Sequence, residues 1–274
     1  MSERKNWLFL STALLGASLA ACSGEGGEAG EAGEGGEAGH AMSASHGGEG
    51  GEGGEGGEGG EGGASVADLG DGTARVYVYG QMRGHLAVAH ALYEAGAEDA
   101  SAPHFMHPIA EVMEGNPDLF ADAERLALED EIEALALAAG EGGNGNDVPA
   151  RYDAVTAQID AVFADATLAD HAAGLSELIG LARIEYAEGV TDGAVTNAIE
   201  FQDAWGFIVA TRTAFDARRG DYNAVNTDAA NQLDETLAAL AELHQNVAND
   251  SPASVSTIRA ASTRVQLAFA AFAD

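Results

Sequence analysis

The sequence predicts an all-α fold, an up-down helical bundle of seven or eight helices that could be two fused bundle-like halves. Three observations predict it. Apolar residues recur at three-and-four spacing through most of residues 65–274. Long runs of β-branched or aromatic residues are few, and the connections between periodic stretches are short enough to make neighbouring helices antiparallel.

Arg75 to Glu94 carries Val76, Tyr79, Met82, Leu86, His90 and Tyr93 on one face, with Gly96 as a stop. TARVYVYG within it also reads as a strand, and the helix is preferred. Ser101 to Pro108 is expected to be a loop, because Pro103 and Pro108 push their predecessors away from helical geometry. Pro108 suits the first turn of a short helix through Met113, and Asn116-Pro117 starts another that stops at Gly140. Pro149 opens a helix striped by Tyr152, Val155, Ile159 and Val162. Leu168, His171, Leu175, Leu178, Ala182 and Glu185 stripe the next. Thr191-Asp192 then reads as the cap of a long helix to about Arg219, apolar on more than one side and therefore central. Leu233, Leu237, Leu240, His244 and Val247 stripe its successor, and Ser254 caps the last helix. The Gly-rich loop from Gly140 to Asp147 is the natural seam between two halves.

Residues 1–21 read as a lipoprotein signal peptide: Arg4 and Lys5 precede an apolar run from Trp7 through Leu19, too short for a comfortable membrane span. Leu19-Ala20-Ala21-Cys22 resembles the bacterial lipobox, which makes Cys22 the lipidation site. As the sole cysteine, Cys22 leaves no intramolecular disulfide and no thiolate metal site. Ser23 after it fits release to the outer membrane of a Gram-negative host. Residues 22–64 are nearly all Gly, Glu and Ala, too polar to offset the entropy of ordering. They read as a disordered tether, which by Gly-rich chain statistics spans roughly 35 Å.

A net charge of −33 excludes nucleic acid as a partner, since phosphate binding needs a basic footprint. The same field attracts cations. Four of the 8 histidines fall between Gly84 and Glu114. His90 with Glu94, and His107 with Glu111, have the four-residue spacing that puts imidazole and carboxylate on one helix face. His104 and His107 can point into one space. His85 lies about 140° round the helix from His90 at 100° per residue, so one helix cannot aim both at one ion. The expected ligands are therefore His90, Glu94, His104 and His107, with His85 and Glu111 as alternates. Nitrogen and oxygen donors without sulfur suit iron, zinc, copper(II) or manganese. Met82, Met106 and Met113 could add thioethers, or simply fill the core.

Nucleophilic catalysis has little support: G-x-S-x-G and HExxH are absent. Acids in the run Glu200-Phe-Gln-Asp203-Ala-Trp-Gly-Phe207 are costly on a buried helix unless paired, and Arg183, Arg212 and Arg218 are the expected partners.

A lipobox, an acidic tether and an all-helical domain with histidine motifs resemble the imelysin-like periplasmic proteins and related lipoproteins of bacterial iron uptake. The EFQDAWGF run is similar to a helix of that group. Its GxHxxE marker is not reproduced, because Gly84 is directly followed by His85 and Val88 stands where Glu would be. The resemblance implies a lipid-anchored protein of the cell envelope, facing the periplasm from the outer membrane, that captures iron or another transition metal and passes it to an envelope transport partner. The alternatives are a non-catalytic helical interaction lipoprotein with no metal site and, through that group's peptidase activity, a hydrolase.

Overall fold

A computed structural model describes residues 66–120, 122–140, 143–248 and 251–273, all within one compact unit spanning Gly54–Asp274. The proposed signal peptide, lipidated Cys22 and tether lie outside the described residues. Among those described there are eight α-helices: α1 (Asp71–Glu94), α2 (Glu98–His107), α3 (Asp122–Ala139), α4 (Val148–Asp165), α5 (Leu168–Gly189), α6 (Ala198–Val225), α7 (Thr227–Leu243) and α8 (Val255–Phe269). The all-α bundle is thus the fold.

The helices close two rings. In the first, α1 packs on α2, α2 on α3, α3 on α4, and α4 back on α1; in the second, α5 to α8 do the same in order. Helix α1 also lies along α5 and α6, so it belongs to both. The seam therefore falls between α4 and α5, at Ala166-Thr167, and not in the Gly140–Asp147 loop. That loop turns the chain within the first ring, and it misleads because glycine marks a turn without saying which helices the turn joins.

Of the expected caps, Ser254 is realised, and Thr167, Asn197 and Asn226 serve as caps beyond those expected. The side chains of Thr167, Asn197, Asn226 and Ser254 each accept a hydrogen bond from a backbone N–H in the first turn of the helix that follows. Pro149 occupies the first turn of α4, where no intrahelical donor is lost.

Three further expectations are corrected. Asn116-Pro117 does not start the helix that stops at Gly140: Asn116 turns its amide back to the Val112 carbonyl, Pro117–Leu119 is a short 3-10 turn, and α3 begins at Asp122. Ser101–His107 is helical, because Pro103 sits inside α2 and forfeits one ladder bond while Phe105 gains full burial. The chain then continues as a single π-helical segment, Pro108–Met113. Thr191-Asp192 is not a helix cap but part of a two-stranded hairpin, β1 (Val190–Thr191) and β2 (Ala194–Val195), with Val190 opposite Val195. Asp192 and Gly193 both have positive φ, 52° and 79°, the Asp-Gly turn that matches strand twist. Asn197 then caps α6, which runs six residues past the expected end at Arg219 to Val225.

The core is continuous and aromatic at its centre, with Tyr79, Tyr186, Tyr222, Phe201, Phe207, Phe215 and Phe269 buried. The close crossing of α1 and α6 matters most for the site. A Cβ on Gly84 would run into the Phe207 ring and the Gly206 backbone, and one on Gly206 would strike the Gly84 carbonyl. Glycine at both positions lets the two backbones touch, which sets His85 beside Asp203.

Candidate metal centre

Three helices deliver four donors to one point. His85 comes from α1, His104 and His107 from α2, and Asp203 from α6; one ligand atom of each lies within 4.8 Å of all the others. His104 and His107 are three residues apart on a helix, hence neighbours on one face. The side chains are nearly sealed from solvent, at 5% exposure for His85, 0% for His104, 11% for His107 and 4% for Asp203.

Asp203 is the hub. Its Oδ1 lies 2.9 Å from Nδ1 of His85 and 2.9 Å from Nδ1 of His104, and its Oδ2 lies 3.6 Å from Nδ1 of His107. The His85 contact is a hydrogen bond. His104 Nδ1 and His107 Nδ1 are buried with no hydrogen bond formed, the second because 3.6 Å is too long for one. On the far side of its ring, His104 Nε2 is 2.9 Å from Oε1 of Gln202. An amide oxygen only accepts, so that nitrogen carries a proton, and Nδ1 meets the Asp203 carboxylate either as a second N–H or as a lone pair. Two lone pairs at that distance repel unless positive charge, a proton or a metal cation, lies between them.

The rings also pack on one another: His85 to His107 at 5.0 Å, His104 to His107 at 4.9 Å, and His85 against the Phe207 edge at 5.1 Å. Burial opposes ionisation of Asp203, yet the charge of His85 and the close approach of His104 and His107 outweigh it and hold the carboxyl well below its usual range. For His107, desolvation is likewise overcome, chiefly by Asp203 and then by Glu111 and Glu200, so its pKa is raised.

The expected ligands divide. His85, His104 and His107 converge, with Glu111 at their outer edge: its oxygens lie 3.7 Å from His85 Nε2 and 3.6 Å from His107 Nε2. His90 and Glu94 do not join them. His90 stacks on Tyr152 at 4.1 Å and reaches Glu94 only at 4.0 Å, on the face of α1 that meets α4. The angular argument was sound, since the two histidines of α1 do diverge. His85 meets Asp203, 118 residues away, a partner that no spacing within α1 signals. Asp203 itself was legible only as a costly acid on a buried helix.

Two of the arginines expected for that acid are engaged elsewhere. Arg212 pairs with Asp216 and Asp234, and Arg218 with Asp221 and the carbonyls of Phe163 and Ala166. The Arg183 Nε is buried without a hydrogen-bond partner. Met82 and Met113 are buried in the apolar core, and Met106 is 40% exposed. His171 bonds Tyr222 OH and His244 Nε2 the Phe201 carbonyl, so both are core residues; desolvation lowers their pKa to about 3 and about 4.

Glu185, Glu188 and Glu200 form a second group. Burial first, then the hydrogen bond and charge of Glu200 and the charges of Asp203 and Glu188, push Glu185 far above the carboxylate range, so it stays protonated and donates to Glu200.

Fold and site together define an all-α bundle protein with a buried three-histidine, one-aspartate donor set. Residues 163–272 match the family model described as the iron permease-associated 4-helix bundle domain. The match covers the second ring, α5 to α8, and contains Asp203 but none of the three converging histidines. It supports a helical protein related to iron uptake, and not the imelysin-like group specifically. No curated protein and no solved structure matches the chain.

Proposed function

We propose that this protein captures a transition-metal cation, iron first, for an uptake system of the cell envelope, holding it with His85, His104, His107 and Asp203. The observation that carries the reading is the convergence of four donor atoms, from His85, His104, His107 and Asp203, within 4.8 Å of one another at a nearly sealed point. Bonds of about 2.0–2.1 Å from a metal to nitrogen and oxygen put adjacent ligands of an octahedron about 2.9 Å apart. Imidazole and carboxylate donors suit iron(II), zinc, manganese or copper(II); the similarity of residues 163–272 to an iron permease-associated domain favours iron. Gln202 fixes the His104 tautomer, the part an outer partner plays in metal sites. Anchoring through a lipidated Cys22 and the acidic tether would keep the cargo near the membrane, where a permease is the natural recipient. Among the described residues no helix is long and apolar enough to cross a membrane.

The test is titration of the full chain with iron(II) under anaerobic conditions and with cobalt(II), zinc and manganese. One equivalent should bind and raise the thermal midpoint, with about 2.7 kcal/mol of stabilisation at a hundredfold excess over Kd. Asp203→Asn and His104→Ala should each weaken binding by more than the roughly 10–100-fold typical of losing an outer-shell partner. No shift with any metal, or equal shifts in both variants, would overturn the reading and leave a helical interaction protein.

A further inference from the structure

Glu111 occupies a position that a permanent ligand would not need. Its side chain is 50% exposed, while the four donors behind it are at most 11% exposed. Its two oxygens reach the outward nitrogens of two different rings, His85 Nε2 at 3.7 Å and His107 Nε2 at 3.6 Å. The inward nitrogens of those rings face Asp203. Both Glu111 distances exceed a hydrogen bond, so the carboxylate touches the two rings without being locked to either. It also stands in the π-helical segment, where the Glu114 N–H bonds back to Ile109 at 3.0 Å. Such segments break the regular ladder and recur at functional sites.

A divalent cation reaches a buried centre only by exchanging its hydration water for protein oxygen or nitrogen. Among the residues in contact with the converging rings, Glu111 is the carboxylate that faces both solvent and two of the donors. We infer that Glu111 is the exchange carboxylate of the centre: it takes the hydrated divalent cation from solvent, passes it inward to the imidazoles and Asp203, and provides the route by which the cation leaves. This rests on the metal-binding reading above. A gate lowers the barrier in both directions, so it changes rates far more than affinity.

Stopped-flow mixing of the full chain with cobalt(II), followed by visible absorption, separates the possibilities; dissociation is read by competition with a chelator. In Glu111→Gln, association and dissociation should both slow by about tenfold or more, within the range electrostatic guidance spans, while Kd stays within about threefold. Glu111→Asp should recover part of both rates. The slowing should persist at 0.5 M salt, where surface charges are screened. Unchanged rates would overturn the inference. So would faster dissociation at unaltered association, the mark of an ordinary ligand, or slowed association alone that salt abolishes, the mark of simple attraction. If cobalt(II) binding is lost in Asp203→Asn but Glu111→Gln has wild-type rates, only the gate falls; if the wild-type chain binds no cobalt(II), both readings fall.

Discussion

Asp203 and Glu185 are buried acids with opposite fates. Asp203 is held ionised by imidazoles, whereas Glu185 meets only like charge and stays protonated. The sign of the second effect can be worked out. Unfolded, Glu185 ionises at about pH 4.3; folded, it ionises far higher. The folded state therefore binds the extra proton over that interval, and stability is fully present below pH 4.3 and lost as pH rises toward the folded pKa. Glu185→Gln keeps a donor toward Glu200 and removes the titration. It should stabilise the metal-free protein by up to about 5 kcal/mol at pH 8 and hardly at all at pH 4, read from urea unfolding at the two values. A variant no more stable than wild type at pH 8 would mean that Glu185 is ionised in the fold.

At the scale of helices, the site depends on how closely α1 and α6 approach. Gly206→Ala should push them apart, destabilising by about 1–3 kcal/mol as overpacked cores do and weakening metal binding by moving His85 from Asp203. Chemical denaturation and cobalt(II) titration of the same variant check both. Unaltered affinity in a destabilised protein would separate the crossing from the site. The sequence marks most helices well, because amphipathic stripes and the Ser254 cap are local signals. Where local rules compete with burial, they fail. Pro103 reads as a breaker and is carried inside α2 because neighbouring Phe105, His104 and His107 gain buried positions. The Asp192-Gly193 turn was available as a hairpin signal, but two-residue strands give no alternation to accompany it. Gly84 and Gly206 show no sign of their pairing in one dimension.

For the whole molecule, a net charge of −33 sets a long-range repulsion that few basic side chains offset. Salt should relieve it: the thermal midpoint ought to rise from 10 mM to 0.5 M sodium chloride, as the Debye length falls from about 30 Å toward a few ångströms. A midpoint that falls or stays level would show that local pairs, such as Arg219 with Asp234 and Arg212 with Asp216, dominate instead. The class of fold was readable from periodicity; the two-ring closure was not, since α1 must serve both rings and its stripe shows only that it is amphipathic. The centre was half readable for the same reason. Its histidines cluster in sequence, but the carboxylate that gathers them enters from the other ring.

That last point bears on how cargo could be surrendered. The converging donors meet at the seam, with His104 and His107 in the first ring, Asp203 in the second and His85 on α1, which serves both. A cation seated among them would act as a rivet through the joint, so that prising α2 from α6 would both open the molecule and eject the ion. A docking partner able to pull on that joint would need no chemistry of its own to unload it.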